Sequence, residues 1–166
     1  NYGTGGRAAR IVSSNTTLVA TQLWHDYSLE SHWQTPVCYQ GAMYGTFLPD
    51  NADAALTCVD LDSGATMWAV GGFGHGAPML VGTNLLVITE RGDLVLAVAK
   101  TNAYTELGRF RAIPNFDANA NKCWNALALS DGQVYVRSTA YAARFDLSVP
   151  DLMLDGPQFV PDNKLQ

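Results

Sequence analysis

Three observations predict an all-β fold made of repeated four-stranded units. Apolar and polar residues alternate with a period of two along most of the 166 residues, and turn dipeptides interrupt the alternation. No stretch keeps apolar residues at helical spacing over three turns. A pattern of strand, Gly-containing turn and strand occurs three times, at 35–45, 77–87 and 126–136.

The spacing of these units indicates which all-β fold they build. Pro36, Pro78 and Leu127 stand at matching positions, and their residue numbers differ by 42 and then by 49. A four-stranded propeller blade takes about 40–50 residues. We therefore predict a partial β-propeller of four-stranded antiparallel blades, two of them complete and two incomplete.

The predicted propeller blades cover residues 1–148. In chain order they are the end of one blade at 7–24, full blades at 35–70 and 77–111, and a three-stranded blade at 125–147, followed by a linker or tail at 149–166. Propellers typically need 4–8 blades to close. We therefore expect the gene to encode further blades before Asn1, and we do not expect the 166-residue chain alone to fold as a soluble monomer.

One segment of the first full blade carries a specific motif. Cys58-Val-Asp60-Leu-Asp-Ser63-Gly64-Ala-Thr-Met-Trp68 resembles the tryptophan docking motif A-x-D-x-x-T-G-x-x-x-W of PQQ-like propeller repeats, with Cys in place of Ala and Ser in place of Thr. The turn from Asp60 to Gly64 joins the third and fourth strands, and the Trp68 indole is expected to be largely buried between neighbouring blades. In the second full blade Phe110 is expected to stand in for the missing tryptophan.

Over roughly residues 3–148 the chain resembles bacterial PQQ-binding-like β-propeller repeat proteins, a group related to quinoprotein alcohol dehydrogenases and to the BamB assembly lipoprotein. For the dehydrogenases the resemblance implies a vicinal Cys-Cys disulfide, a carboxylate and an Asn that hold calcium beside the quinone, and an Asp that acts as base. The three cysteines, Cys38, Cys58 and Cys123, are far apart in sequence and are expected to be buried.

The best candidate site follows from the alignment of the blades. Trp33, His75 and Trp124 share one position, two residues before equivalent points at which each innermost strand begins. They are expected to converge at one mouth of the central channel, where propellers usually bind ligands. The predicted ligand-binding set is Trp33, His75, Trp124, His32, Lys122 and Asn125. The alternative interpretation is that these aromatic residues pack the channel entrance without binding a ligand.

No catalytic residue, metal ligand or cofactor is predicted from this sequence. The acids near the three aromatic positions in sequence are Glu30 and Asp117, and the loop from Asp117 lacks the Gly and Glu that an EF-hand requires. No G-x-S-x-G, H-E-x-x-H or Walker motif occurs. PQQ and calcium are expected only if an upstream half of the propeller supplies their site.

The favoured function is therefore that of a non-catalytic exported propeller, periplasmic or extracellular, which serves as an interaction or ligand-binding scaffold. Its expected partner is another protein, the remaining blades of the same propeller, or a second copy of the chain. A net charge of -5 with scattered basic residues argues against nucleic acid, and no apolar window is long enough to span a bilayer. Two alternatives stay open: part of a PQQ-dependent dehydrogenase, and a carbohydrate-binding propeller with Trp33 and Trp124 as stacking platforms.

Overall fold

The computed structural model describes residues 3–48 and 53–147, together with the backbone of residues 159–160. Every regular element in these ranges is a β-strand, and every strand pairing is antiparallel. The strands are β1 Gly6–Ser14, β2 Thr17–Asp26, β3 Val37–Tyr39, β4 Ala42–Phe47, β5 Ala55–Asp60, β6 Thr66–Val70, β7 Ala77–Val81, β8 Asn84–Ile88, β9 Asp93–Val98, β10 Glu106–Arg111, β11 Ala128–Ser130, β12 Gln133–Arg137, β13 Ala142–Asp146 and β14 Phe159–Val160.

The strands form one two-stranded sheet and three four-stranded sheets, each with its strands in sequence order. We call these the first hairpin (β1–β2), blade A (β3–β6), blade B (β7–β10) and blade C (β11–β14). The up-and-down order is that of propeller blades, which confirms the predicted fold class. Two-residue loops set the inner hairpins of blades A and C, and both residues of each loop, Gln40-Gly41 and Asp131-Gly132, have positive φ.

Blade C differs from the sequence prediction. The blade was expected to lack its outer strand, but β14 pairs with β13 and completes a four-stranded sheet. Phe159 and Val160 are residue types that favour strands, and they cover part of an edge that β13 would otherwise expose. The rest of the predicted linker or tail at 149–166 lies outside the described residues.

Blade B shows how the blades pack, because both faces of its sheet are buried. In β8, Leu86 and Ile88 pack with Val134 and Val136 of blade C. The alternate residues of the same strand, Leu85 and Val87, pack with Tyr44, Leu56 and Cys58 of blade A. A continuous apolar run therefore replaces the usual alternation in β8, since successive side chains point to opposite faces.

The first hairpin packs against blade A as the outer half of another blade would. Trp24 lies in a small cluster with Leu29, Phe47 and Val59. Its Nε1 donates a hydrogen bond to the carbonyl of Leu61, 2.8 Å away, in the turn between β5 and β6. The rest of the hairpin is largely exposed, and within the described residues β1 pairs with β2 alone.

Of the three cysteines expected to be buried, two are. Cys58 and Cys123 are buried, and burial raises the pKa of both thiols, that of Cys123 to about 11. Cys38 is exposed, so the prediction is wrong for this residue. It lies on the short innermost strand β3, which has a neighbouring strand on one side only.

Candidate functional site

The structure brings together the three residues that the blade alignment singled out. The rings of Trp33 and Trp124 are stacked, with centroids 4.5 Å apart and planes inclined by 19°. The His75 ring lies 5.3 Å from Trp33 and 5.1 Å from Trp124. Trp33 precedes β3, His75 precedes β7 and Trp124 precedes β11, so each blade contributes one ring to the cluster. We call Trp33, His75 and Trp124 the axial cluster.

A chain of hydrogen bonds supports the axial cluster. His32 Nδ1 lies 3.1 Å from His75 Nε2, and His75 Nδ1 lies 3.1 Å from Glu90 Oε2. The second oxygen of this carboxylate, Oε1, accepts a hydrogen bond of 2.9 Å from Trp124 Nε1. Glu90 thus joins the rings contributed by blades B and C, and the histidine pair extends this connection to blade A.

Glu90 is an acid of the site that the sequence prediction missed, because it lies 15 residues from His75 in sequence. It lies two residues after the end of β8 and accepts hydrogen bonds from both the backbone N–H and the ring of His75. Burial raises the pKa of this carboxyl, but the hydrogen bonds from Trp124 and His75 outweigh burial and hold the pKa below its ordinary value. Gly74, at a φ of 55°, allows the loop before His75 to close over Glu90, since a Cβ there would lie 2.3 Å from Oε2.

Gln34 is a second contributor that the sequence prediction missed. Its side chain is buried, and Nε2 donates to the carbonyl oxygens of His75, at 2.5 Å, and Trp124, at 3.4 Å. Oε1 accepts a hydrogen bond of 3.3 Å from the backbone N–H of Trp33. One amide therefore connects the backbones of all three blades at the axial cluster.

Lys122 and Asn125 flank the cluster in different ways. The Lys122 ammonium lies 4.1 Å from the centre of the Trp124 ring, which is a cation–π distance. The side-chain oxygen of Asn125 accepts a hydrogen bond of 2.8 Å from Arg137, so this group is already engaged within blade C. Lys122 therefore contacts the axial cluster, whereas the side-chain oxygen of Asn125 makes a structural contact within blade C.

A groove of about 420 Å³ leads from the axial cluster along the innermost strands. Its lining includes Trp33 and Trp124 of the axial cluster together with Val37, Met79 and Leu127. No charged side chain lines it. Strands β3, β7 and β11 each have a single neighbour in their sheets, so each leaves one backbone edge without a strand partner among the described residues.

The docking motif is found where it was expected. Asp60 Oδ1 accepts hydrogen bonds from the backbone N–H and hydroxyl of Ser63, at 2.7 and 2.6 Å. These hydrogen bonds lower the pKa of the Asp60 carboxyl. Trp68 Nε1 donates to the carbonyl of Lys100 in blade B, 2.9 Å away. Trp68 is partly buried and packs against the core shared by blades A and B, which is the position between two blades that was expected.

Trp24 is a docking tryptophan that the sequence prediction did not identify. Its indole bonds to the Leu61 carbonyl of blade A much as Trp68 bonds to the Lys100 carbonyl of blade B. Gly64 of the motif accommodates it, since a Cβ at Gly64 would lie 2.7 Å from the Trp24 ring. Phe110 packs edge-on against Phe145 of blade C, with ring centroids 5.0 Å apart. This contact is the one expected if Phe110 takes the place of the docking tryptophan that blade B lacks.

The described residues contain no candidate metal site built from His, Cys, Asp or Glu side chains. No three His, Cys, Asp or Glu residues in these ranges are grouped so that they could share a cation. In the loop that imitates an EF-hand, Asp117 Oδ1 accepts hydrogen bonds from the backbone N–H groups of Asn119 and Ala120. This carboxylate therefore closes its own turn. Within residues 3–48, 53–147 and 159–160, no helix is long and apolar enough to cross a membrane.

Comparison with known proteins supports the fold at low sequence identity. No protein family and no curated protein matches this sequence. Among solved structures, BamB from Moraxella catarrhalis is similar, with a TM-score of 0.59 and 16% identity over 87% of this chain and 46% of BamB. The quinohemoprotein alcohol dehydrogenase ADHIIG from Pseudomonas putida HK5 is similar with a TM-score of 0.50 and 16% identity, over 69% of this chain and 19% of the enzyme.

These two likenesses confirm that the blades are those of a β-propeller. The chain spans less than half the length of BamB and about a fifth of the dehydrogenase. At this identity the likeness establishes the fold alone, and what the chain does has to be argued from its own site.

Proposed function

We propose that the chain is part of a non-catalytic interaction scaffold that binds an extended apolar segment of a partner protein at the axial cluster. The observation that carries this proposal is the uncharged groove beside Trp33. The Trp33 ring is stacked on Trp124 on one side and is still 53% exposed. A half-exposed aromatic side chain at the end of an apolar groove is the usual form of an interface anchor.

The strand edges that line the groove favour an extended peptide. An extended chain can add backbone hydrogen bonds to an unpaired strand edge while its apolar side chains enter the adjacent pocket. Strands β3, β7 and β11 each leave one edge without a strand partner among the described residues. A partner segment without charged side chains matches the groove lining, because burying an unpaired charge there would be costly. We expect the scaffold to act outside the cytoplasm, in the periplasm of a bacterium or in the extracellular medium.

Replacing Trp33 by Ala should weaken binding of an apolar peptide at least about thirtyfold, because an aromatic anchor at an interface contributes roughly 2 kcal/mol or more. The probe is a synthetic peptide of alternating Leu and Ser residues, titrated into the intact protein by calorimetry at neutral pH. Tyr27→Ala is the matched control, because Tyr27 is 65% exposed and its ring contacts His25, away from the axial cluster. Equal affinity in the Trp33→Ala variant would contradict the proposal.

Two further titrations separate the competing functions. PQQ with calcium, followed by dye reduction, tests the dehydrogenase alternative, and a neutral oligosaccharide tests the carbohydrate alternative. Binding of the peptide alone, sensitive to Trp33, supports the scaffold. Dye reduction, or saturable binding of the oligosaccharide without binding of the peptide, would replace the scaffold with the corresponding alternative.

A further inference from the structure

We propose that the axial cluster is a pH-controlled binding surface, in which a second proton on the His32–His75 pair separates Trp33 from Trp124. This inference deepens the proposed function and rests on it for its link to binding. It starts from the histidine pair, whose facing nitrogens lie 3.1 Å apart. Two imidazole nitrogens at that distance share a hydrogen bond only if one carries a proton and the other does not.

The neutral pair satisfies this condition. Glu90 Oε2 accepts a hydrogen bond from His75 Nδ1, which therefore carries a proton, and His75 Nε2 is left as an acceptor. His32 Nδ1 then donates to His75 Nε2. Each ring thus carries one proton, and the chain from His32 through His75 to the carboxylate of Glu90 is complete.

One additional proton can also be accommodated. If His75 becomes an imidazolium, both of its nitrogens donate, one to Glu90 and the other to His32 Nδ1, with His32 in its other neutral tautomer. If His32 takes the proton instead, its Nδ1 still donates to His75. Either arrangement preserves the contact, and the Glu90 carboxylate offsets the charge.

A second additional proton cannot be accommodated. Both facing nitrogens would then carry hydrogen, and two positive rings whose centroids lie 5.0 Å apart would repel each other. The other charged groups that act on the pair include Glu30, which attracts a proton to His32, and the N-terminal ammonium, which repels one. Lys122 places a further positive charge over the Trp124 ring. Burial and the neighbouring His75 lower the pKa of His32 despite Glu30, so its protonation falls in the acid range below 6.5.

Separation of the histidines would act directly on the binding surface. His32 precedes Trp33 in sequence, and the two rings pack edge to face with centroids 5.3 Å apart. His75 contacts both tryptophans of the stacked pair. Movement of His32 away from His75 therefore moves Trp33 away from Trp124, and the exposed aromatic face at the end of the groove is lost.

The test uses the circular dichroism of the stacked indoles in the intact protein, taken as the difference between the wild type and Trp33→Phe. We expect the exciton signal of the pair to disappear as the pH falls into the acid range below 6.5, where His32 takes up its proton. It should persist over that range in His32→Asn, which keeps a hydrogen-bond donor and cannot be protonated. His25→Asn is the matched control, since His25 bonds to the Thr4 carbonyl in the first hairpin, and it should titrate like the wild type.

An exciton signal that persists in the wild type down to about pH 4.5, where carboxyl groups begin to titrate, would overturn the proposal. So would a signal that disappears in His32→Asn and His32→Gln over the same pH range as in the wild type. Because these measurements need no ligand, their outcome does not depend on whether the proposed scaffold function is correct. In a second step, the affinity of the Leu-Ser peptide should fall at least about tenfold at acid pH in the wild type and stay unchanged in His32→Asn. Loss of the exciton signal without loss of affinity would overturn the control of binding while leaving the scaffold intact.

Discussion

Replacing Trp68 by Ala is expected to lower the free energy of unfolding by about 3 kcal/mol, near the lower end of the range for large aromatic side chains because Trp68 is only partly buried. The indole lies between blades A and B, with ring centroids 5.9 Å from Tyr44 and 5.7 Å from Tyr104. Its removal takes away these contacts and leaves the Lys100 carbonyl without the indole donor. Urea titration of the intact protein measures the change.

Two variants show which part of Trp68 is responsible. Trp68→Phe keeps an aromatic ring but loses the hydrogen bond to Lys100. Its free energy of unfolding should therefore be about 1 kcal/mol lower than that of the wild type. Met67→Ala is the control on the same strand, and because Met67 is 46% exposed it should change stability by no more than about 0.5 kcal/mol. A loss below about 1 kcal/mol for Trp68→Ala would mean that the motif does not hold the blades together.

Replacing Glu90 by Leu is expected to lower stability by about 2–3 kcal/mol and to abolish the stacking of Trp33 on Trp124. The carboxylate accepts hydrogen bonds from the Trp124 ring, the His75 ring and the His75 backbone, and Leu offers none. These donors would be left unpaired in a partly buried place. Chemical denaturation gives the stability, and the exciton difference spectrum gives the stacking.

The stabilising effect of Glu90 should depend on pH in a defined direction. Because the folded protein holds the pKa of this carboxyl below its ordinary 4.5, the contribution is complete above that value and is lost as the pH falls through the lower folded value. Glu90→Gln is the matched variant, since it keeps one acceptor oxygen and does not titrate in this range. If Glu90→Leu and the wild type lose stability in parallel over that pH range, Glu90 does not have the role described here.

The repeats in the sequence predict the blades and the axial cluster because both depend on position within a repeat. Once Pro36, Pro78 and Leu127 are matched, the equivalence of Trp33, His75 and Trp124 follows without knowledge of the coordinates. The rings indeed meet, at centroid distances between 4.5 and 5.3 Å. Whether they bind a ligand is a property of the site and stays a prediction.

The residues that support the cluster were missed because they do not repeat. Glu90 follows the second strand of blade B, and its carboxylate reaches His75 only because the loop at Gly74 folds back over it. In the sequence, nothing distinguishes Gln34 from any other polar residue beside Trp33. One available signal was that a charged residue, Glu90, stands two residues after the apolar strand β8.

Trp24 and β14 were missed for a different reason. The docking motif was sought as eleven consecutive residues, but Thr16, Val19 and Ala20 stand before Trp24 where the motif has Asp, Thr and Gly. Only the contact with Leu61 shows that Trp24 docks on the next blade. Strand β14 has two residues, which is too short for any alternation to be recognised, and its pairing with β13 depends on tertiary contact.

The unpaired edge of the first hairpin allows a direct test of the prediction that the propeller is incomplete. Within the described residues β1 has a strand partner on one side only, and Ile11 and Leu18 of this hairpin are 66% and 73% exposed. An unpaired strand edge with exposed apolar side chains either aggregates or pairs with another chain. The inner half of another blade would cover this edge in a closed ring.

Size-exclusion chromatography with light scattering on the isolated 166-residue chain measures whether that edge needs a partner. We expect aggregation or a defined oligomer, because the unpaired backbone groups of β1 and the exposed face of the first hairpin need a second chain to cover them. A soluble monomer near 17.9 kDa that unfolds cooperatively would contradict the incomplete propeller, because the chain would then be a closed all-β domain in its own right.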